Sequence, residues 1–476
     1  MVRPPSPALI ALVLAALPAA AQESPLPELF SDTIDVRVVN VEVVVTNRKG
    51  NRVQGLEAAD FELRVDGESV PVEYFTEVDG GIALTSARGD ATETVSSLVP
   101  GEPVPTNYLV FIDEYFAVRR DRDRVLKRLE EDLTRLSSHD RVAVVAFDGQ
   151  NVSQLTDWTG SEDRMRDALA AAPERKALGL MRRADQDPLE GAVHAGSTWP
   201  LSRREQRIQR SVLAAGATVR SFADAPGRKV MLALVDGWST PSWNTGQLER
   251  LRSPPSVEDL YGPLVHAANL VGYALYPVDL AGFRPVFEAG ATRAGDASVG
   301  YNDPGRGSGG LALAAQSPFS RPASFNIEWR QEAALCYLAH ETGGVPMINA
   351  LRDSALAEAA TDTRSYYWLG FAPPRNQDDA LHDIEVRLAG RPDLRVRTRR
   401  SYFDLSKSTE VTMMVEGAVL FGDAPGKETL GVRLGAPKRT RGRKILVPME
   451  IAIPLDDVEL LPMSGLGRTS WSSGSL

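Results

Sequence analysis

Two aspartates stand where apolar runs break off. In "NYLVFIDEYFA" the run from Tyr108 to Ile112 ends on Asp113 and Glu114, and in "GRKVMLALVDGWST" the run from Val230 to Val235 ends on Asp236 and Gly237. Carboxylates brought together at neighbouring strand ends can do two kinds of chemistry. They can act as general acid and base in a hydrolase, or they can offer hard oxygen ligands to a divalent cation.

The other reactive side chains offer less. Five histidines (139, 194, 266, 340 and 382) are scattered, and none pairs with Cys or Glu at zinc-ligand spacing. His340 and Glu341 in "AHETGG" lack the second His of a zinc protease, and the segment reads as a helix ending at Gly343. "GRGSGG" (Gly305 to Gly310) fits a dinucleotide pattern only in its letters, because it follows "YNDP" rather than a strand. The hydrolase reading therefore lacks a nucleophile motif, a paired His and a glycine loop in the right context. No cofactor is implied. Cys336 falls in a helical apolar pattern with Leu335 and Leu338 and is expected to be a buried small hydrophobe.

The whole chain sets further bounds. At 476 residues it is too long for one core. Its net charge of -10 argues against a nucleic-acid binder, which needs a basic face for phosphates. "PKRTRGRK" (Pro437 to Lys444) is a local basic cluster without interleaved aromatics, and reads as a charged hairpin tip. The N-terminus carries Arg3, an apolar run from Ala8 to Leu17 and then Ala19-Ala20-Ala21. That pattern predicts a secretory signal peptide over residues 1–21, leaving Gln22 first. No apolar stretch reaches the length of a membrane span. A lone cysteine forms no internal disulfide, so packing must stabilise the fold.

These elements must position the two aspartates. Residues 32–79 alternate as strands, with a hairpin at Asp66-Gly67, and predict a small β unit. Residues 80–105 read as a linker. From 106 to 403 apolar strands alternate with helical segments, interrupted by a Gly-rich insertion over 281–325. The predicted fold is α/β: an open, Rossmann-like, mainly parallel sheet with helices on both faces, plus small β-rich N-terminal and C-terminal segments. "SYYWLGFAPP" and "HDIEVRLAG" either extend that sheet or start a β unit. Residues 409–463 read as a partial β segment and 464–476 as a flexible tail. Ligand sites in open α/β sheets lie at the carboxyl ends of the strands, where Asp113 and Asp236 fall.

An ordered set of segments makes this pattern specific: "VVVTNRKGNRVQGLEAADFELRVDGESVPVEYF", "YLVFIDEYF", "SSHDRVAVVAFDG", "LTDWTGSEDRMRDAL", "GRKVMLALVDGWST", "YALYPVDLAG", "LAHETGGVPMINA", "YYWLGFAPP" and "HDIEVRLAGRPDLRVRTRRSYF". Together they resemble the von Willebrand factor type A domain, and more narrowly the acidobacterial type found in exported bacterial proteins. The resemblance implies a secreted or periplasmic module and a metal site written Asp-x-Ser-x-Ser, completed by a distant Thr and a second Asp. Asp113 matches the first Asp and Asp236 the later one. Tyr115 and Ala117 occupy the two Ser positions, and the Thr region from Ala170 to Gly191 contains neither Ser nor Thr. With so incomplete an oxygen shell, no metal is expected to be held. Asp113 is expected instead to cap the next segment or to pair with Arg119 or Arg120.

The expected function is a non-enzymatic interaction module binding a protein or cell-envelope partner. Its binding residues would be Asp113, Tyr115, Phe116 and Asp236, with the two aromatics exposed as contact area. A hydrolase using Asp113 and Asp236, or a structural envelope component without a discrete ligand, are the alternatives.

Overall fold

The computed structural model describes residues 38–88, 98–179, 203–223, 225–240, 256–281, 323–348, 354–373 and 378–406, with short runs between 408 and 452. The chain divides into two compact units, Met1–Arg37 and Val38–Leu476. The first lies outside the described residues, as do the expected signal peptide, most of the Gly-rich insertion and the tail.

A five-stranded sheet forms the centre, in the order β10-β9-β6-β7-β8. Its strands are β6 (Thr106–Asp113), β7 (Arg141–Phe147), β8 (Val152–Thr159), β9 (Arg228–Val235) and β10 (Tyr273–Asp279). All neighbours are parallel except β8, which runs antiparallel to β7. Every residue of β6 is buried, as a strand covered on both faces requires. Its side chains alternate between two cores. Val110 and Ile112 pack with α1 (Arg119–Glu131), α2 (Glu162–Ala171) and α6 (Ala355–Thr363). Leu109 and Phe111 pack with α3 (Arg203–Ser221), α4 (Val257–Val271) and α5 (Ala323–Thr342). Beyond β10 the sheet gains, among the described residues, one bridging residue, Met347, whose N–H donates to Pro277 O at 2.8 Å. Gly344 permits that approach, since a Cβ there would stand 1.8 Å from the Leu275 carbonyl oxygen.

Strands from distant parts of the chain build a second body. One sheet runs β13-β1-β11-β4-β5 and another β14-β12-β2-β3. The early strands are β1 (Val39–Thr46), β2 (Phe61–Val65), β3 (Glu68–Val70), β4 (Tyr74–Asp79) and β5 (Ile82–Arg88). The late ones are β11 (Tyr366–Phe371), β12 (Leu381–Leu388), β13 (Arg395–Arg397) and β14 (Ser401–Phe403). Their shared core holds Val41, Val43, Phe61, Leu63, Leu369, Phe371 and Ile384. The late strands thus complete the N-terminal β unit and do not lengthen the central sheet. A few short strands with one apolar face are not stable alone, so they need this cover. The hairpin at Asp66-Gly67 forms as read, with φ of 50° and 84°.

The stretch read as a linker contains β5. Gly80 and Gly81 take positive φ (60° and 82°) and turn the chain straight from β4 into β5. Near the C-terminus β15 (Gly431–Leu434) pairs with β18 (Met449–Ala452), and β16 (Lys438–Arg439) with β17 (Ile445–Leu446). The hairpin tip itself lies outside the described residues.

Cys336 is exposed, not buried. The buried stripe of α5 is Ala334, Leu335, Leu338 and Ala339. At 3.6 residues per turn, position 336 falls on the opposite side.

Candidate functional site

Asp113 and Asp236 do reach one edge. Ile112 of β6 is in register with Leu234 of β9, so both strands end side by side and deliver their carboxylates to the same rim. Both are buried, at 0% and 2% exposure.

Asp113 is satisfied from within. Its Oδ2 accepts the indole N–H of Trp238 at 2.8 Å, and its Oδ1 accepts the backbone N–H of Tyr115 at 3.1 Å. Neither expected arginine is its partner. Arg119 turns to Asp123 at 3.5 Å, and α1 begins after Val118, with no side-chain cap. Burial pushes the Asp113 carboxyl up to about 7; the Trp238 indole, the Ser211 hydroxyl and the backbone N–H groups of Tyr115 and Phe116 pull it partly back. Ser211 lies close without making a hydrogen bond of normal geometry.

Trp238 was not singled out by the sequence. It is 0% exposed, and its ring lies 5.8 Å from that of Tyr261. The turn that places it is "DGWS". Gly237 adopts φ 80°, its carbonyl accepts Arg204 Nη2 at 2.8 Å, and Ser239 O accepts the Tyr261 hydroxyl at 3.0 Å. An Asp-Gly turn followed by a large aromatic was the available signal.

Tyr115 is 4% exposed, contrary to the expected exposed aromatic. Its ring sits edge-on to Phe116 and Phe147, with centroids at 5.1 and 6.5 Å. Gly149 makes the space, because a Cβ there would fall 2.2 Å from Tyr115 Cδ2. The loop after β6 folds back over the next strand, and Tyr115 becomes its anchor. Phe116 is half-buried and is the one candidate of the four with reach to solvent.

Glu114 has a structural role that alternation alone does not show. It is 1% exposed and accepts Arg175 Nε at 2.9 Å, with Arg122 Nη1 at 3.5 Å. Arg122 in turn donates to Arg175 O and Pro173 O at 3.1 and 3.0 Å. The N–H groups of Leu178 and Gly179 donate to Glu114 O and Ala117 O at 2.8 and 3.0 Å. The segment 173–179 is therefore laced across the loop after β6.

The donor set does not suit a hard cation. Mg²⁺ asks for near-octahedral oxygens, whereas Asp113 already faces two N–H donors and its neighbours at the hydroxyl positions are a buried phenol ring and a methyl. Among the described residues no three His, Cys, Asp or Glu side chains gather to hold an ion. His340 is likewise engaged as an acceptor, its Nε2 2.9 Å from Arg400 Nη2.

The sequence matches no family model and no curated protein. Among solved structures it is similar to the TFIIH p34 N-terminal domain, at 12% identity over 40% of this chain and 95% of that one, with a TM-score of 0.20. It is also similar to the pilus adhesin SpaC of Lactobacillus rhamnosus GG, at 13% identity over 46% of this chain and 28% of that one, TM-score 0.22. The human COPII-coat protein Sec24c gives 13% identity over 66% of this chain and 47% of that one, TM-score 0.25. At these scores the likenesses are weak and assign no activity. The chain forms a mixed α/β unit with a helix-flanked five-stranded sheet and antiparallel β sheets beside it.

Proposed function

We propose that this chain is an exported interaction module of the von Willebrand factor A type, which binds a protein or cell-envelope partner without a metal. The observation that carries the reading is the Trp238 indole N–H on Asp113 Oδ2 at 2.8 Å. A cation at that carboxylate would have to displace a buried hydrogen bond, and the two positions that would supply hydroxyl ligands hold the Tyr115 ring and the Ala117 methyl. Asp113, Asp236 and Tyr115 shape the carboxyl edge from beneath, and Phe116 supplies its contact.

Titration calorimetry of the full mature chain with Mg²⁺ and Mn²⁺ tests the metal half: no saturable heat is expected. Micromolar affinity that vanishes in Asp113→Ala would restore a metal-dependent site. Capture of an envelope partner that survives chelator and weakens in Phe116→Ala tests the binding half. Capture equally strong in that variant would move the contact elsewhere. Export predicts a mature protein beginning at Gln22, read by mass spectrometry of the secreted fraction; an intact Met1 on cytoplasmic protein would refute it.

A further inference from the structure

The segment 173–179 lies on the loop after β6 and is held there mainly by polar ties. Leu178 and Gly179 donate their backbone N–H groups to Glu114 O and Ala117 O, at 2.8 and 3.0 Å. Arg175 reaches from the loop to β8, with its Nε 2.9 Å from Glu114 Oε1 and its Nη2 3.2 Å from Ser153 Oγ. From Pro173 to Leu178 no side chain is fully buried, and Leu178 packs only partly against the core beneath. Segments with few buried apolar contacts open locally, at a cost well below that of global unfolding.

The charges are arranged so that lifting the segment strands none of them. Glu114 is 1% exposed, but Arg122 of α1 stands 3.5 Å from it and stays when Arg175 leaves. Arg122 also keeps Asp123, at 2.8 Å. The carbonyls of Pro173 and Arg175, which accept from Arg122 in the closed form, give way to the water that opening admits. The Arg175 side chain, already 28% exposed, returns to solvent. Separating a buried pair costs about 3–5 kcal/mol when one charge is left alone, and that penalty does not arise here.

The fit is closest at Gly179. A Cβ on it would stand 2.2 Å from Phe116 O and 2.6 Å from Ala117 O, so backbone lies directly on backbone. The covered carbonyls flank Phe116 in the chain, on the edge at which we place the partner.

We propose that residues 173–179 are an autoinhibitory strap: in the resting protein they occupy the loop after β6, and a protein partner binds the form in which they have lifted. The inference rests on the reading of that edge, with Phe116, as the contact. Apparent affinity is then the intrinsic affinity reduced by the open fraction. Any change that favours lifting raises binding. Gly179→Ala blocks the close approach, and Arg175→Gln removes an ion pair while leaving Arg122 beside Glu114.

Hydrogen exchange of the full chain reads the opening itself. The Leu178 amide should exchange at least about a hundredfold faster than those of Val110 and Phe111 in β6, at a rate that low urea leaves unchanged, because local opening exposes little surface. Each variant should speed Leu178 by about tenfold, the loss of roughly one hydrogen bond, and leave β6 as it is. Leu178 exchanging only together with β6 would make the segment a fixed part of the fold and overturn the strap, with the interaction reading intact. Capture from envelope extract reads the consequence. Gly179→Ala should retain more partner than the parent at equal concentration, and Phe116→Ala added to it should remove the gain. Equal or weaker capture by Gly179→Ala, despite faster exchange at Leu178, would overturn the inhibitory role. Capture by neither protein would sink the interaction reading and this inference together. Should Gly179→Ala fail to fold, Arg175→Gln carries both measurements.

Discussion

Trp238 donates its indole N–H to the carboxylate of Asp113 across 125 residues of sequence, and both side chains are fully buried. This one bond joins the ends of two parallel strands and gives a desolvated carboxylate its only indole donor. It also supplies a buried aspartate at the rim of the sheet with a hydrogen-bond donor from the neighbouring strand's end.

Trp238→Phe keeps the ring and removes that N–H. Leaving a buried charged acceptor short of one donor costs about 1–3 kcal/mol. The Asp113 carboxyl should rise further above about 7, since the indole is the largest group holding it down. An acid whose folded pKa is raised favours its protonated form in the folded state. Its stabilising contribution is therefore complete below the unfolded value, near 4, and is lost as pH rises through the folded one. Urea unfolding of the variant should show its greatest deficit at pH 8 and its smallest near pH 4; a deficit equal at all pH values would show that the bond does not govern Asp113.

His382 sets a second pH dependence on the β-sheet body. Its Nδ1 lies 2.8 Å from Asp66 Oδ2 and its Nε2 lies 3.4 Å from Asp378 Oδ1, and the ring stacks on Tyr402 at 5.1 Å. The hydrogen bond to Asp66 raises the imidazole pKa, and the same contact lowers that of Asp66. The raised His contributes stability below about 6.5 that is lost as pH climbs through its folded value, while the lowered Asp66 contributes above about 3.9 and fails in acid. The pair should stabilise most between these limits. His382→Gln should flatten the decline in unfolding free energy between pH 6 and 8; an unchanged decline would assign it to another group.

Much of this architecture was legible because burial on both faces leaves a simple trace. The strands β6, β7, β9 and β10 read as unbroken apolar runs, and a run that stops on Asp marks the rim. The pairing of β1 with β11 was not legible: Val41 meets Leu369 through register set by the intervening fold, and local periodicity carries no partner. Tyr115 escaped for a related reason. A turn of a few residues has no period, so nothing in "DEYFA" says that the chain doubles back onto Phe147 and Gly149. The ties of Asp113 to Trp238 and of Glu114 to Arg175 are likewise long-range contacts between side chains whose sequence neighbours look ordinary.

Gly149→Ala should fail where most glycine substitutions on a loop are tolerated. Gly149 has φ 98°, and a methyl group there would stand 2.2 Å from the Tyr115 ring. The ring cannot retreat, being held between Phe116 and Phe147. Tyr115→Ala removes the obstacle but opens a cavity, for which aromatic truncations cost about 3–5 kcal/mol. Alone, each variant should unfold at lower urea. In the double variant the clash of the new methyl with the ring is relieved, although the backbone strain at φ 98° remains, so the combined loss should be smaller than the sum, a coupling that simple additivity would refute.

Glu42 and Arg228 should respond unequally to removal of either partner. Arg228 is 1% exposed and also faces the Tyr366 ring at 4.4 Å, whereas the Glu42 side chain is 21% exposed and can reach solvent. Glu42→Gln therefore strands a buried guanidinium, a loss of about 3–5 kcal/mol for pairs of this kind. Arg228→Met strands only a carboxylate that can hydrate or take a proton, and its cost should be lower. The double variant should recover part of the Glu42→Gln loss, because a buried apolar pair needs no counter-charge. Urea unfolding curves of the parent and the three variants read these losses. Equal losses from the two single variants would show that burial does not distinguish the partners.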